Sequence, residues 1–273
     1  MKAFPELVTG FGMSLALAFV ASTAQAQLIN VNFIDDAINI QWGGGSTPAP
    51  ATMSGAAVLG SAGDIWNGLG GFNYATYPTG ASGGPYPLVY ANGLASGVSL
   101  SLVAPNGTYD ANSVNWSNFS PFSWASLANE QGNVGYPATP YANLMASCLV
   151  ANTAVNDGSV TLTGLSPLGL YQLVTYNASD ENEVGGRISS FTVNGVTQTS
   201  TYDGVTTTLV QGVDYLSWNA QADATGTLVI NFGNKALGES DLNGLQIQLV
   251  PEPATFALVG AAMTLLLVGR RQR

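Results

Sequence analysis

The octapeptide Phe191-Thr192-Val193-Asn194-Gly195-Val196-Thr197-Gln198 decides the fold class of this chain. Aromatic and β-branched residues alternate with threonine on both sides of Asn194-Gly195, a pattern typical of paired strands. An Asn-Gly pair tolerates the positive φ angles that a two-residue hairpin turn requires. The stretch therefore predicts a tight antiparallel hairpin, and Asn156-Asp157-Gly158 predicts a second turn of the same chemistry.

Short strands are predicted on both sides of this hairpin, each rich in β-branched or aromatic residues and closed by turn residues. They cover residues 28–34, 99–103, 159–165, 170–176, 188–193, 215–218, 227–232 and 242–250. Their number, spacing and glycine-rich connections favour an all-β sandwich over a parallel α/β sheet. The first half has weaker signals, so we expect long ordered loops there, including residues 68–87, and one short helix near residues 141–147.

The N-terminal end has the order of a secretory signal peptide. Lys2 precedes an apolar region at residues 7–20, and Ala24-Gln25-Ala26 forms a small-residue cleavage site for signal peptidase. We expect residues 1–26 to be removed and the mature chain to begin at Gln27. A retained N-terminal membrane helix is the alternative.

The C-terminal end carries a second signal, Val250-Pro251-Glu252-Pro253, followed by an apolar run at residues 254–268 and by Arg270, Arg271 and Arg273. The two prolines favour an extended, accessible chain. The apolar run is predicted to be a single hydrophobic helix, short for a bilayer that needs about 17–25 residues. The arginines favour a cytoplasmic end, which leaves residues 27–250 outside. A permanent anchor is the alternative.

This tail, residues 251–273, resembles the PEP-CTERM sorting signal of exported bacterial proteins. The resemblance implies recognition by an exosortase, a membrane-embedded cysteine transpeptidase, with transient residence in the cell-envelope membrane. It further implies final placement at the cell surface or in the extracellular matrix.

A second resemblance concerns the region between the two signals. Its motifs are Ile29-Asn30-Val31-Asn32-Phe33, Ala57-Val58-Leu59-Gly60 with Gly63-Asp64-Ile65-Trp66-Asn67, Gly164-Leu165-Ser166-Pro167 leading to residues 171–176, Arg187 before residues 191–195, and residues 243–248. Together they resemble the ectodomains of exosortase substrates and the galactose-binding-like jelly roll of carbohydrate-binding modules. The resemblance implies one jelly-roll β-sandwich over residues 27–250.

Charge excludes nucleic acid as a partner. Only 8% of the chain is charged, and residues 27–250 keep 14 acidic residues against Arg187 and Lys235. A nucleic-acid site needs cations to neutralise phosphates. The expected domain is acidic, with a surface made polar mainly by uncharged side chains.

An enzyme is not expected. The chain has no histidine, which excludes Ser-His-Asp and His-metal arrangements, and Cys148 has no histidine as its base. The paired carboxylates Glu181/Glu183, Glu239/Asp241 and Asp35/Asp36 leave glycoside hydrolysis as a minor alternative.

Calcium is the more natural use of these acids, because it prefers oxygen ligands. First and last strands of such sandwiches lie close together, so Asp35 or Asp36 is predicted to meet Glu239 or Asp241 around a structural Ca²⁺. Scattered solubilising acids are the alternative.

Glycan binding is the main functional hypothesis. Aromatic faces stack on sugar rings while amides and carboxylates bind hydroxyls. Trp116 and Trp124, flanked by asparagines, are the first candidates and Trp66 is a further one. The competing hypothesis is a purely structural protein of the surface or the extracellular polysaccharide matrix, without a ligand pocket.

Overall fold

The structure is a computed structural model, and the chain is described at residues 27–33, 53–69, 81–104, 108–110, 140–141, 144–146, 149–152, 158–177, 188–201, 208–233 and 239–251. These residues form an all-β protein without an α-helix; one turn of 3-10 helix spans Leu144–Ala146. The strands are β1 Leu28–Phe33, β2 Asn67–Leu69, β3 Ala81–Val89, β4 Ala95–Ala104, β5 Thr108–Asp110, β6 Leu149–Asn152, β7 Gly158–Thr163, β8 Leu170–Tyr176, β9 Ser190–Val193, β10 Val196–Thr199, β11 Tyr215–Gln221, β12 Leu228–Phe232, β13 Glu239–Leu242 and β14 Gly244–Leu249.

Two large sheets face each other as a β-sandwich. One has five strands in the order β11-β8-β14-β1-β2, and the other has six in the order β10-β9-β12-β7-β4-β3. A smaller sheet has the order β13-β6-β5. The first and last strands, β1 and β14, are antiparallel neighbours, in agreement with the expectation that they lie close together.

The main core fills the space between the two large sheets. Strand β7 alternates buried and partly exposed residues, as a strand with one face on a core should. Phe191 of the six-stranded sheet packs edge-on against Trp218 of the five-stranded sheet, with ring centroids 6.2 Å apart. This contact joins the two layers directly.

The five-stranded sheet is also covered on its outer face. There Val174 and Tyr176 pack with Met53, Trp66 and the 3-10 turn in a second apolar cluster. Residues 28–33 are consequently buried on both faces, which explains why β1 shows no alternation of buried and exposed positions.

The sandwich has two ends, which we call the terminal pole and the distal pole. At the terminal pole Leu28 pairs with Gln248, and Val250 N donates to Leu170 O at 2.8 Å. The turns at residues 91–94, 164–169, 194–195 and 222–227 also lie there, joined by backbone and side-chain hydrogen bonds. At the distal pole β1 ends at Phe33, beside the start of β14.

Each of the eight predicted strands overlaps a strand of the structure, and the predicted hairpin is confirmed as β9 and β10. Asn194 has φ 48° and Gly195 has φ 75°, the left-handed values that the turn requires. Of the predicted turn at residues 156–158, only Gly158, which begins β7, is described.

Three predictions about secondary structure need correction. The expected loop at residues 68–87 contains most of β3, an edge strand that holds Pro85 and Pro87 and is shifted in register beside each. The predicted strand at 242–250 is divided by Asn243, which separates β13 from β14. The predicted helix near 141–147 is a 3-10 turn of three residues in its described part.

Candidate functional site

A pocket of about 400 Å³ opens at the terminal pole, between the start of β1, the end of β14 and two loops. Its polar lining comes from Ser61, Asp64, Tyr90, Asn92 and Gln248. The remaining lining residues are small or apolar: Leu28, Gly60, Gly63 and Ala91. The volume falls in the range of small-molecule sites, about 300–1,000 Å³.

The wall at residues 59–64 is held by the buried side chain of Gln246. Gln246 Oε1 accepts from Leu59 N at 2.9 Å, and Gln246 Nε2 donates to Leu59 O at 3.0 Å and to Asn30 Oδ1 at 2.8 Å. The Tyr176 hydroxyl donates to Oε1 as well. All four hydrogen-bonding positions of the amide are therefore used, and the loop that carries Asp64 is fixed to the sheet.

The Tyr176 hydroxyl extends this network by accepting from Val58 N at 3.0 Å. Burial raises the pKa of Tyr176 well above its ordinary value, so the hydroxyl stays protonated and remains a donor.

Asp64 is the carboxylate of the pocket. Its Oδ2 accepts from Ser61 N at 3.0 Å and its Oδ1 from Ser61 Oγ at 2.8 Å. Each carboxylate oxygen has room for a further donor. The carboxylate is thus positioned by its own loop while still able to bind a hydroxyl.

Tyr90 and Asn92 lie on the opposite wall, which β1 holds in place. Ala91 N donates to Leu28 O, and Ile65 N donates to Ala91 O, each at 2.8 Å. The Tyr90 hydroxyl donates to Ser96 O at 3.3 Å while its ring packs partly against the core. Burial raises the pKa of Tyr90, so it is neutral at physiological pH.

Gln248 supplies an amide to the floor of the pocket. It stands opposite Leu28 in the β1–β14 pair, and its side-chain amide makes no hydrogen bond within the described residues. Its oxygen and nitrogen can therefore bind a ligand. The described lining contains one carboxylate, no basic side chain and several neutral polar groups, which suits a neutral polyhydroxylated ligand rather than an anion.

The predicted glycan-binding tryptophans do not form this pocket. Trp116 and Trp124 lie outside the described residues. Trp66 is 4% exposed, and its Nε1 donates to Gly55 O at 2.8 Å. Its ring packs against Tyr176, so the prediction that Trp66 offers a face to a sugar is corrected: it is a core residue.

The structure describes only some of the predicted calcium ligands. Asp35 and Asp36 lie outside the described residues, and for Glu239 only the backbone, paired with Asn152, is described. Asp241 is 1% exposed, and its backbone N donates to Ser189 Oγ at 2.8 Å. No group of three potential metal ligands occurs within the described residues. The calcium site stays a prediction.

The predicted processing signals border the described residues. Gln27 and Leu28 are described, whereas Ala24 and Ala26 are not. Val250 and Pro251 are exposed, while Glu252, Pro253, Arg270, Arg271 and Arg273 lie outside the described residues. Among the helical segments that the structure describes, none has the length and apolar character to span a membrane.

The pocket residues were not predicted as a site. Asp64 stands in a motif that the sequence singles out for fold, and Asn92 precedes Gly93 in a turn-forming pair. These turn signals mark loops, but the pairing of Leu28 with Gln248 brings the loops together. That pairing depends on residues 220 positions apart.

Comparisons with known proteins give only distant likenesses. No family model and no curated protein matches the sequence. A family 35 carbohydrate-binding module from Clostridium thermocellum aligns at 18% identity over 34% of this chain and 75% of that one, with a TM-score of 0.25. A xylan-binding CBM22-1 domain from Paenibacillus barcinonensis aligns at 19% identity over 39% and 74%, with a TM-score of 0.23.

An exo-β-1,3-galactanase from Phanerochaete chrysosporium, solved with galactose, aligns at 18% identity over 37% of this chain, with a TM-score of 0.27. This chain spans 23% of the galactanase. The structural neighbours thus include carbohydrate-binding modules and glycoside hydrolases, at a level of similarity that carries no information on ligand or activity.

Proposed function

We propose that this chain is an exported protein of the bacterial surface or extracellular matrix, that its sandwich binds a neutral glycan without catalysis, and that an exosortase processes its tail. The observation that carries glycan binding is the pocket at the terminal pole, with its carboxylate, amides, hydroxyl and tyrosine ring. Sugar hydroxyls both donate and accept hydrogen bonds, which this mixture of groups matches.

The chemistry of the pocket favours binding over hydrolysis. Glycoside hydrolases use two carboxyl groups, one on each side of the bond that breaks. Asp64 is the carboxylate in the described lining, and its two oxygens are engaged by Ser61. A bound sugar would therefore meet an acceptor for its hydroxyls but no second acid within the described lining.

The boundaries of the sandwich support processing at both ends. Strand β1 begins one residue after Gln27, so cleavage after Ala26 leaves the strand whole. Strand β14 ends at Leu249, and Pro251, which has no N–H to donate, is exposed. The sorting motif therefore starts where the sheet hydrogen bonds stop, within reach of a peptidase.

We also propose that the sandwich is a jelly roll, for which the antiparallel neighbours β1 and β14 are the support. In the proposed order of events, signal peptidase removes residues 1–26, and the tail holds the protein in the membrane until an exosortase acts. The domain then associates with extracellular polysaccharide.

Glycan binding is tested by Gln248→Leu, with affinity measured by calorimetry against the polysaccharide of the host and a panel of neutral polysaccharides. Loss of a hydrogen bond worth about 1 kcal/mol is expected to weaken binding about fivefold. Gln172→Leu is the matched control, because Gln172 is the neighbour of Gln248 on β8 yet lies outside the pocket.

A second pair of variants tests the tyrosine. Tyr90→Phe keeps the ring and removes the hydroxyl, and Tyr90→Leu removes the ring while keeping an apolar side chain against the core. Stacking predicts that Phe binds as the native protein does and that Leu binds several-fold more weakly. If no polysaccharide binds the native domain, the purely structural role replaces this proposal.

A further inference from the structure

Among the residues that the structure describes, large apolar side chains are exposed mainly at the terminal pole. Eight such residues are more than one-third exposed among the described residues, and six of them lie at this pole: Ile65, Leu94, Leu168, Leu170, Val196 and Val250. Leu168 is 60% exposed and Leu94 is 65% exposed. The other two, Val103 and Val229, lie on the six-stranded sheet.

Backbone hydrogen bonds tie these residues to the place where the tail leaves. Val250 N donates to Leu170 O, and Leu168 is two residues before Leu170. On the other side, Ile65 N donates to Ala91 O, and Ala91 N donates to Leu28 O. The apolar side chains therefore stand on both sides of Val250, the last residue before the Pro-Glu-Pro motif.

The length of the linker sets how far this pole can stand from a membrane that holds the tail. Only residues 251–253 separate Val250 from the apolar run that begins at Ala254. Four residue steps of extended chain span at most about 14 Å. With residues 254–268 in a bilayer, Val250 lies within about 14 Å of the hydrocarbon core. A linker that is not fully extended along the membrane normal brings it to the lipid headgroups, which reach about 5–8 Å from that core.

We propose that the terminal pole is a membrane-apposed face, whose exposed leucines, isoleucine and valines rest in the headgroup region of a phospholipid bilayer until the tail is cut. The proposal rests on the sorting step of the proposed function. The partner is the lipid surface itself, because the tail brings that surface to the pole. Apolar side chains at an interface bind by burial at the headgroup boundary.

Charge does not drive this contact. Residues 27–250 hold 14 acidic and two basic residues, and Asp64 and Asp223 stand at the pole itself. Anionic lipids would repel such a surface. Contact is therefore expected to depend on apolar side chains and to be unchanged or strengthened by added salt, the opposite of binding through a basic patch.

The test uses the exported full chain, with its tail, reconstituted into vesicles of phosphatidylethanolamine and phosphatidylglycerol at about 7:3, which contain both a neutral and an anionic phospholipid. A fluorophore is placed on Leu168→Cys, and on Val103→Cys as the control, each in a Cys148→Ser background. Val103 is 50% exposed and lies at the far end of β4. Nitroxide-bearing lipids then report which fluorophore touches the bilayer.

Quenching at position 168 is expected to be several-fold stronger than at position 103, and to fall to the level at 103 after the tail is cut at the sorting motif. Equal, weak quenching at both positions in vesicles that carry the protein would overturn the membrane-apposed face alone. Failure of the full chain to float with the vesicles would overturn the sorting step, and this inference with it. Leu170→Cys, with native-like thermal unfolding, serves as the second probe.

Discussion

Tyr176 is the residue on which the second apolar cluster and the pocket wall both depend. Its ring packs against Trp66, and its hydroxyl links Val58 N to Gln246. A single hydroxyl thus connects the outer face of the sheet to the segment that carries Asp64.

We predict that Tyr176→Phe lowers the free energy of unfolding by about 1–3 kcal/mol, because the part-buried Val58 N loses its acceptor and the buried Gln246 Oε1 loses a donor. The measurement is urea denaturation followed by tryptophan fluorescence. Tyr215→Phe is the control, since the Tyr215 ring lies 6.3 Å from Tyr176 but its hydroxyl makes no hydrogen bond within the described residues. Equal losses for both variants would count against the hydroxyl network.

Asp223 gives a prediction about pH. Its Oδ1 accepts from Thr225 Oγ1 at 2.7 Å and from Thr225 N and Thr227 N at 2.8 Å, and these bonds lower the pKa of Asp223. Since the native pKa lies below the unfolded value, the stabilisation is present above the unfolded pKa. It is lost as pH falls from about 3.9 through the native pKa.

Carbon-detected NMR titration measures this pKa directly. We expect Thr225→Ala to raise the pKa of Asp223 toward its ordinary value, because the hydroxyl bond is the largest cause of the lowering. An unchanged pKa in Thr225→Ala would show that the backbone hydrogen bonds alone account for the lowered pKa of Asp223.

Individual residues could be predicted from the sequence where local chemistry determines their role. Asn194 and Gly195 adopt the left-handed conformation that their type favours. The role of Trp66 could not be predicted in this way, because an indole suits both a buried core position and stacking on a sugar ring. Its burial depends on Tyr176, which is 110 positions away and which no local pattern pairs with it.

At the level of elements, two turns interlock at the terminal pole. Leu165 N donates to Gly226 O at 3.0 Å, and Leu168 N donates to Asp223 O at 3.0 Å. Gly226 has φ 78°, and a Cβ there would lie 2.2 Å from Leu165 O. Glycine is therefore required both by conformation and by the close approach of the two turns.

Gly226→Ala is predicted to destabilise the protein by about 3 kcal/mol or more, since steric overlap adds to the strain of a left-handed alanine. Gly195→Ala is the matched variant, because Gly195 has φ 75° but open space around it. Gly195→Ala is expected to lower the free energy of unfolding by about 1–2 kcal/mol. Thermal and urea unfolding measure the stability of both variants. If both lost the same free energy of unfolding, the close approach of Gly226 to Leu165 would contribute nothing to stability.

Strands rich in β-branched and aromatic residues were predicted, whereas the glycine- and proline-bearing β3 was not. Strand β8 occupies the predicted residues 170–176, because β-branched and aromatic side chains fill both faces. Strand β3 was missed since its glycines and prolines are turn signals, and only its place at the sheet edge makes them acceptable. The division at Asn243 depends on pairing of β13 with β6, which local sequence does not show.

For the whole molecule, the adjacency of β1 and β14 is the prediction with the largest consequence. It places the start of the first strand, the end of the last strand and the pocket at the terminal pole. The sequence predicted the adjacency but not the pocket, because the pocket also needs residues 59–64 and 90–92 from loops without a binding motif. Sorting and binding are therefore proposed for the same end of the domain.

Intact mass of the protein recovered from the cell envelope and the medium of its host checks the processing. We expect a chain that begins at Gln27 and ends near residues 250–253, because cleavage at these points leaves every strand of the described sheets whole, from Leu28 to Leu249. A mass that retains Arg273 would make the protein a permanently anchored one. Deletion of the exosortase is the control, and it should restore the longer mass.

The prolines of the edge strand β3 also affect whether copies of the protein aggregate at high concentration. An unpaired sheet edge can pair with a strand of another copy, and this pairing is a route by which β proteins aggregate into fibres. Pro85 and Pro87 remove two donors from β3, and its shifts in register prevent a long regular ladder. The opposite edge, β10, is only four residues long. Both edges of the six-stranded sheet are therefore poor templates for a strand of another copy, so this sheet favours separate molecules even at high protein concentration.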